Sequence, residues 1–129
     1  MKNIFVNLPV KDLKRSKTFF EEIGFSFEPK FTSDMGAGMI VAGNIFVMLL
    51  TEDFFKTFTS KKVANANEST EVLLCLSCDS REEVDELVRK VIAAGGTSPR
   101  AAIDHGFMYQ HGFEDLDGHI WELAYMPAQ

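Results

Sequence analysis

Apolar and polar residues alternate over residues 3–10, NIFVNLPV, and the period of two predicts a β-strand. Asp12 then precedes LKRSKTFFEEI, where Phe19, Phe20 and Ile23 recur at helical spacing. That segment predicts a helix capped by Asp12 and stopped at Gly24. FSFEPKF, MGAGMIVAG and NIFVMLLTE predict three further strands separated by turn residues. EDFFKTF predicts one helical turn. KKVANANEST is polar and lacks a period, so it predicts a linker.

The pattern then repeats. EVLLCLSC predicts a strand. Ser80 predicts a second N-cap, with Glu83 three residues on completing a capping box. The helix REEVDELVRKVIAA carries its core stripe on Val84, Leu87, Val88, Val91 and Ile92, and ends at Gly95-Gly96. TSPRAAI, GFMYQHGFE and HIWELAYM predict three more strands. Aligning Asp12 with Ser80 pairs Leu8 with Leu76 and Val10 with Cys78, so the chain reads as βαβββ twice. The first module spans about residues 1–58, the linker about 59–70 and the second module about 71–129.

Composition narrows the class. A chain of 129 residues is one domain's length, with 46% hydrophobic and 25% charged residues, as in ordinary globular proteins. A net charge of -6 with no basic run argues against nucleic acid or an anionic membrane as partner. No stretch approaches the roughly 20 apolar residues of a membrane span, and the first residues lack a signal-peptide pattern, so a cytoplasmic protein is expected. No GxGxxG, P-loop or Ser-His-Asp signature is present.

The pair CLSC, Cys75 and Cys78, suggests redox or zinc chemistry, but it falls on a predicted strand. Residues three apart there lie about 10 Å apart on opposite faces. Disulfides need Cα atoms within about 7 Å, and zinc would need a second ligand pair, so both cysteines are assigned to packing. DLDG hints at calcium, but the other loop ligands of an EF-hand are missing. The plainer reading is a three-residue hairpin loop, Leu116-Asp117-Gly118, with Gly118 in the left-handed region.

That loop orients Glu122, a carboxylate among Ile120, Trp121, Leu123, Ala124 and Tyr125. With Asp115 opposite His119, Gly112 falls opposite Glu122 and Gln110 opposite Ala124. Glu122 then shares a face with Gly112, Gln110 and Met108, while Tyr109, His111, Phe113, Trp121 and Leu123 face the helices. A one-residue slip would bring His111 and Tyr109 to the Glu122 side instead. On the first strand Asn7 shares the face of Phe5, and Ile4, Val6, Leu8 and Val10 pack under the helix. Phe54, Phe55 and Phe58 form an aromatic cluster suited either to the core or to covering a cavity or a dimer seam.

VNLPVKDLKRSKTFF near the start and FEDLDGHIWEL near the end, joined by the doubled βαβββ order, resemble the vicinal oxygen chelate superfamily across the whole chain. That superfamily holds glyoxalase I, extradiol dioxygenases, fosfomycin-resistance enzymes and bleomycin-resistance proteins. The resemblance implies an α+β fold, two βαβββ modules forming curved mixed sheets around a cavity, with helices on the outer face. It also implies pairing of two chains as a homodimer. Enzymes of the superfamily hold a divalent metal through four strand positions, which here are Phe5, Leu49, Leu73 and Glu122. Only Glu122 carries a suitable donor, and catalytic sites need about three, so no metal and no cofactor are expected.

The implied cavity is apolar at Phe5, Leu49, Leu73 and Met108, with Asn7, Gln110 and Glu122 as its polar groups and His111 and Tyr109 in reserve. Few polar groups on an apolar wall suit a small organic molecule. Three functions remain open. The first is metal-independent binding of such a molecule, as in bleomycin resistance. The second is a glyoxalase-like lyase, isomerase or dioxygenase working through Glu122 with or without metal. The third is a structural or regulatory dimer. For Glu122 itself the readings are ligand contact, a base with a raised pKa, or a solvated residue.

Overall fold

The structure, a computed structural model, describes residues 2–127. The chain divides into two compact units, the first running through Ala64 and the second from Asn65.

In the first unit, β1 (Ile4–Val10) leads into α1 (Leu13–Glu22), followed by β2 (Ser26–Glu28), β3 (Gly36–Ala42) and β4 (Ile45–Thr51). Asp12 caps α1 by accepting the Arg15 N–H at 3.1 Å, which satisfies one of the helix's orphan donors. The helix ends where Gly24 takes a φ of 111° and Phe25 N–H turns back to the Phe20 carbonyl at 2.9 Å. The sheet order is β1-β4-β3-β2, with β1 and β4 parallel and the other pairs antiparallel. Ala37, Met39, Val47 and Leu49 bury the face toward α1, together with Phe19, Phe20 and Ile23. Of the four β1 residues expected under the helix, Leu8 and Val10 are buried and Val6 is half-buried, but Ile4 is 54% exposed, because it opens an edge strand.

The segment FSFEPKF is strand only to Glu28. Pro29 starts a 3-10 turn, Pro29–Phe31, that carries Phe31 onto the face away from α1. Gly38 permits this approach, since a Cβ there would meet the Phe31 Cβ at 2.7 Å. EDFFKTF forms α2 (Glu52–Phe55) and a second 3-10 turn, Lys56–Phe58. There the Phe54 and Phe58 rings meet edge to face at 5.1 Å.

The second unit repeats the order with β5 (Leu73–Ser77), α3 (Arg81–Ala93), β6 (Ile103–Asp104), β7 (Tyr109–Glu114) and β8 (Ile120–Tyr125). Its sheet order, β5-β8-β7-β6, matches the first, again with one parallel pair, β5 with β8. Ser80 Oγ accepts the Glu83 N–H at 3.0 Å. The Glu83 carboxylate reaches back to Asp79 N–H at 3.2 Å, one residue beyond the N-cap, so the box closes one position early. Val84, Val88 and Val91 are buried against β7 and β8, whereas Ile92 is 56% exposed. Trp121 is fully buried and stacks on Phe113 at 6.1 Å.

The largest departure from the sequence pattern lies at 97–103. Only Ile103 and Asp104 form strand, with an isolated bridge between Thr97 and Glu114. Pro99 is the cause. Thr97 and Glu114 exchange backbone hydrogen bonds at 3.1 and 2.7 Å, so the next such pair would set residue 99 opposite Gly112. Pro99 has no N–H to donate, and the ladder breaks there. The Ser98 hydroxyl takes over the Gly112 carbonyl at 2.7 Å, and pairing resumes at Ile103 with Gln110.

Candidate functional site

The break in the ladder opens a cleft of about 150 Å³ on the face of the second sheet away from α3. Pro99, Arg100 and Ala101 border it on the bulged side, and Gln110, Gly112 and Glu114 of β7 and Ile120 and Glu122 of β8 on the sheet side. The hairpin register brings these side chains to one face. Gly112 lies opposite Glu122 and Gln110 opposite Ala124, as the turn Leu116-Asp117-Gly118 predicts, with Gly118 at a φ of 87°.

Glu122 is half-buried, and Gln110 Nε2 donates to its Oε2 at 2.9 Å. A carboxylate only accepts, so this bond places the Gln110 amino group toward Glu122 and the Gln110 carbonyl away from it. That carbonyl oxygen lies 3.2 Å from His105 Nε2, which must then carry the hydrogen. Gly112 makes room for the carboxylate, because a Cβ there would stand 3.0 Å from Glu122 Oε2 and 3.2 Å from the Trp121 carbonyl. On the neighbouring strand Cys75 pairs with Glu122 and is exposed. Neighbouring groups still shield its thiol partly from water, and this desolvation, followed by the Glu122 charge, raises its pKa above the ordinary thiol value, so it is a poor thiolate. Burial, followed by Glu83 beside it, pushes the Cys78 thiol up to about 12. Both cysteines are free.

The runner-up residues lie elsewhere in function. Tyr109 points to α3, where its hydroxyl donates to Asp85 at 2.6 Å and its ring lies 4.2 Å beneath the Arg81 guanidinium. His111 borders the cleft, but its imidazole is committed. Nε2 lies 3.0 Å from Ser98 Oγ and 2.9 Å from the Arg100 carbonyl. The carbonyl only accepts, and the Ser98 hydrogen goes to Gly112, so His111 holds its proton on Nε2. His111 thereby ties the bulge to β7.

The remaining predicted residues divide by unit. Leu73 is 56% exposed on the face shared with Glu122. Met108 precedes β7, half-buried, and does not border the cleft; its carbonyl accepts the His105 N–H at 2.8 Å. In the first unit, Phe5 is 43% exposed and stacks on Phe46 at 5.0 Å, with Phe31 edge-on to both, and Asn7 is exposed on that same face. Leu49 is misplaced by the sequence reading. It pairs with Leu8, faces α1 and is fully buried. Asn7 pairs with Met48 as Cys75 pairs with Glu122, so the repeat sets Met48, not Leu49, in the place that Glu122 holds. Ser98, Pro99, Arg100, Ala101, Ile103, His105 and Glu114 were missed; a proline inside a predicted strand was the available signal.

The metal of the resembling enzymes does not fit these residues. Phe5 and Leu73 have no donor, Leu49 is turned to the helix, and Met48 offers a thioether suited to soft ions. Among the described residues no group of three or more His, Cys, Asp or Glu side chains converges as a metal site. Among the described residues, too, no helix is long and apolar enough to cross a membrane.

The bleomycin resistance protein-like N-terminal family matches residues 2–43. Among solved structures, the hypothetical protein SA1046 from S. aureus is 30% identical, with a TM-score of 0.82 over 97% of this chain and 94% of its own. A glyoxalase/bleomycin resistance protein/dioxygenase family enzyme from Burkholderia phytofirmans superimposes with a TM-score of 0.83 at 20% identity, covering 98% of this chain and 100% of its own. The fosfomycin resistance protein FosX from Listeria monocytogenes gives a TM-score of 0.69 at 20% identity, covering 98% and 94%. No curated protein matches the chain.

Proposed function

Since the chain belongs to the family of SA1046, within the glyoxalase/bleomycin resistance/dioxygenase superfamily, we propose that it binds a small organic molecule without a divalent metal. The observation that carries this reading is the bond from Gln110 Nε2 to Glu122 Oε2 at 2.9 Å. The carboxylate's side-chain partner is a neutral amide, fixed in place by His105, and not a second metal donor. Beside it lie apolar walls from Ile103 and Ile120, the usual make-up of a small-molecule site.

A lyase or isomerase reading would rest on Glu122 alone. The nearest imidazole in the chain of bonds, His105, is separated from it by the Gln110 amide, which does not pass a proton at neutral pH.

Elemental analysis and thermal unfolding test the proposal together. The purified protein is expected to carry no stoichiometric zinc, nickel, iron or manganese, and adding these ions leaves its Tm unchanged. A small-molecule library yields compounds that raise Tm by mass action. One tightly held metal per chain, released by Glu122→Gln, would overturn the proposal.

A further inference from the structure

Resting on that reading of the cleft, we infer that its ligand is a small cation, whose ammonium group is received by Glu122 and whose apolar end lies against Ile103 and Ile120. Three observations converge on this class. The first is size. The cleft measures only about 150 Å³. Drug-sized ligands need pockets of about 300 Å³ or more, so the cleft suits a short-chain molecule or one terminal group of a larger one.

The second is the direction of the hydrogen bonds. Gln110 occupies one acceptor position of Glu122, and a carboxylate offers about four. Gln110 spends its carbonyl on His105, and His111 Nε2 is committed to Ser98 and the Arg100 carbonyl. The polar groups therefore leave mainly acceptor capacity toward the cleft, which calls for a donor on the ligand.

The third is charge. Glu122 and Glu114 both border the cleft against one guanidinium, Arg100, in a chain of net charge -6. A carboxylate without metal partners still creates a negative potential. An ammonium can answer it with a single charge-assisted hydrogen bond and needs no coordination shell to be completed.

Backbone and side-chain amide NMR, followed during titration with butylammonium, butanol and butyrate, tests this. Butylammonium is expected to shift the Gln110 side-chain amide and the Gly112 amide saturably. Butanol should bind about tenfold to a hundredfold more weakly, the span of a hydrogen bond to a charged group. Butyrate should bind more weakly still. Glu122→Gln removes the preference for butylammonium, and Arg100→Ala, which takes away the guanidinium opposing the two carboxylates, strengthens it. Preserved dispersion of the amide spectrum shows that each variant folds. Equal binding of all three probes overturns the ligand class while small-molecule binding in the cleft stands. Preference for butyrate, lost in Arg100→Ala, overturns it in favour of an anion. If none of the three moves the Gln110 and Gly112 resonances, the cleft itself is not the binding site.

Discussion

Asp115 closes the last hairpin from inside. Its Oδ1 accepts the N–H groups of Asp117 and His119, each at 3.0 Å, and its Oδ2 accepts Trp121 Nε1 at 3.0 Å. Asp115→Asn keeps the shape but turns an amino group toward the indole N–H, leaving a buried donor without an acceptor. The variant should lose about 1–3 kcal/mol, read from the urea midpoint at unchanged m-value. Burial pushes the Asp115 carboxyl above its ordinary range, against the opposing pull of His119 and the N–H donors. The native state then holds this proton more tightly than the unfolded chain does. Its contribution to stability is fullest below the unfolded value of about 3.9 and falls as pH rises through the raised one. The gap between wild type and Asp115→Asn should accordingly narrow as pH rises across the mildly acidic range. At Cys75 the prediction concerns rate. The native protein should alkylate at Cys75 and not at buried Cys78. Glu122→Gln should speed the Cys75 reaction at neutral pH, because it removes the charge that, after desolvation, disfavours the thiolate.

Among the elements, the segment from Thr97 to Ile103 matters most, because its irregularity makes the cleft. Ser98 compensates for the missing N–H of Pro99 by donating to the Gly112 carbonyl, and it accepts from His111. Ser98→Ala should therefore cost about 1–2 kcal/mol, as a half-buried carbonyl and an imidazole each lose a partner. Pro99→Ala restores a backbone N–H opposite the same carbonyl. The double variant should recover part of the loss, so the two effects are not additive; a double-mutant cycle by denaturant unfolding measures the difference. Strict additivity would show that Ser98 is not standing in for the ladder bond. The two long helices, α1 and α3, hold no such surprise. Both are capped where Asp12 and Ser80 stand, and both carry their buried residues on one stripe.

For the molecule as a whole, the two units share one topology with different chemistry on the sheet face away from the helix. The first presents Phe5, Phe31 and Phe46 in mutual contact, and the second presents Leu73 beside Glu122 and the cleft. Phe5, Phe31 and Leu73 are 43%, 40% and 56% exposed. Apolar residues exposed in this way favour coverage by another chain, and we propose a homodimer. Sedimentation at micromolar concentration is expected to give twice the 14.5 kDa of the chain; a lone 14.5 kDa species would refute it. Phe5→Glu should shift that equilibrium toward monomer if the first unit's aromatic face is part of the contact.

The order of the elements, the two long helices with their buried stripes, and the faces of the last hairpin were legible in the residues alone, whereas the strand expected over 97–103 forms only at its end. Helical spacing at Phe19, Phe20 and Ile23, the caps at Asp12 and Ser80, and the Leu116-Asp117-Gly118 turn are set by near neighbours in the chain. The turn alone was enough to place Gln110 and Gly112 beside Glu122. What the residues did not disclose depends on partners distant in sequence. Leu49 reads as a cavity position until its pairing with Leu8 turns it to α1, because a strand's faces are interchangeable until a neighbour sets its register. The cleft arises because the one N–H that Pro99 lacks falls opposite the Gly112 carbonyl. The commitment of His111 to Ser98 and Arg100 follows from the same meeting of two strands. Local chemistry decided where strands and helices form. Only tertiary pairing decided which backbone group went unanswered, and the candidate site stands at that point.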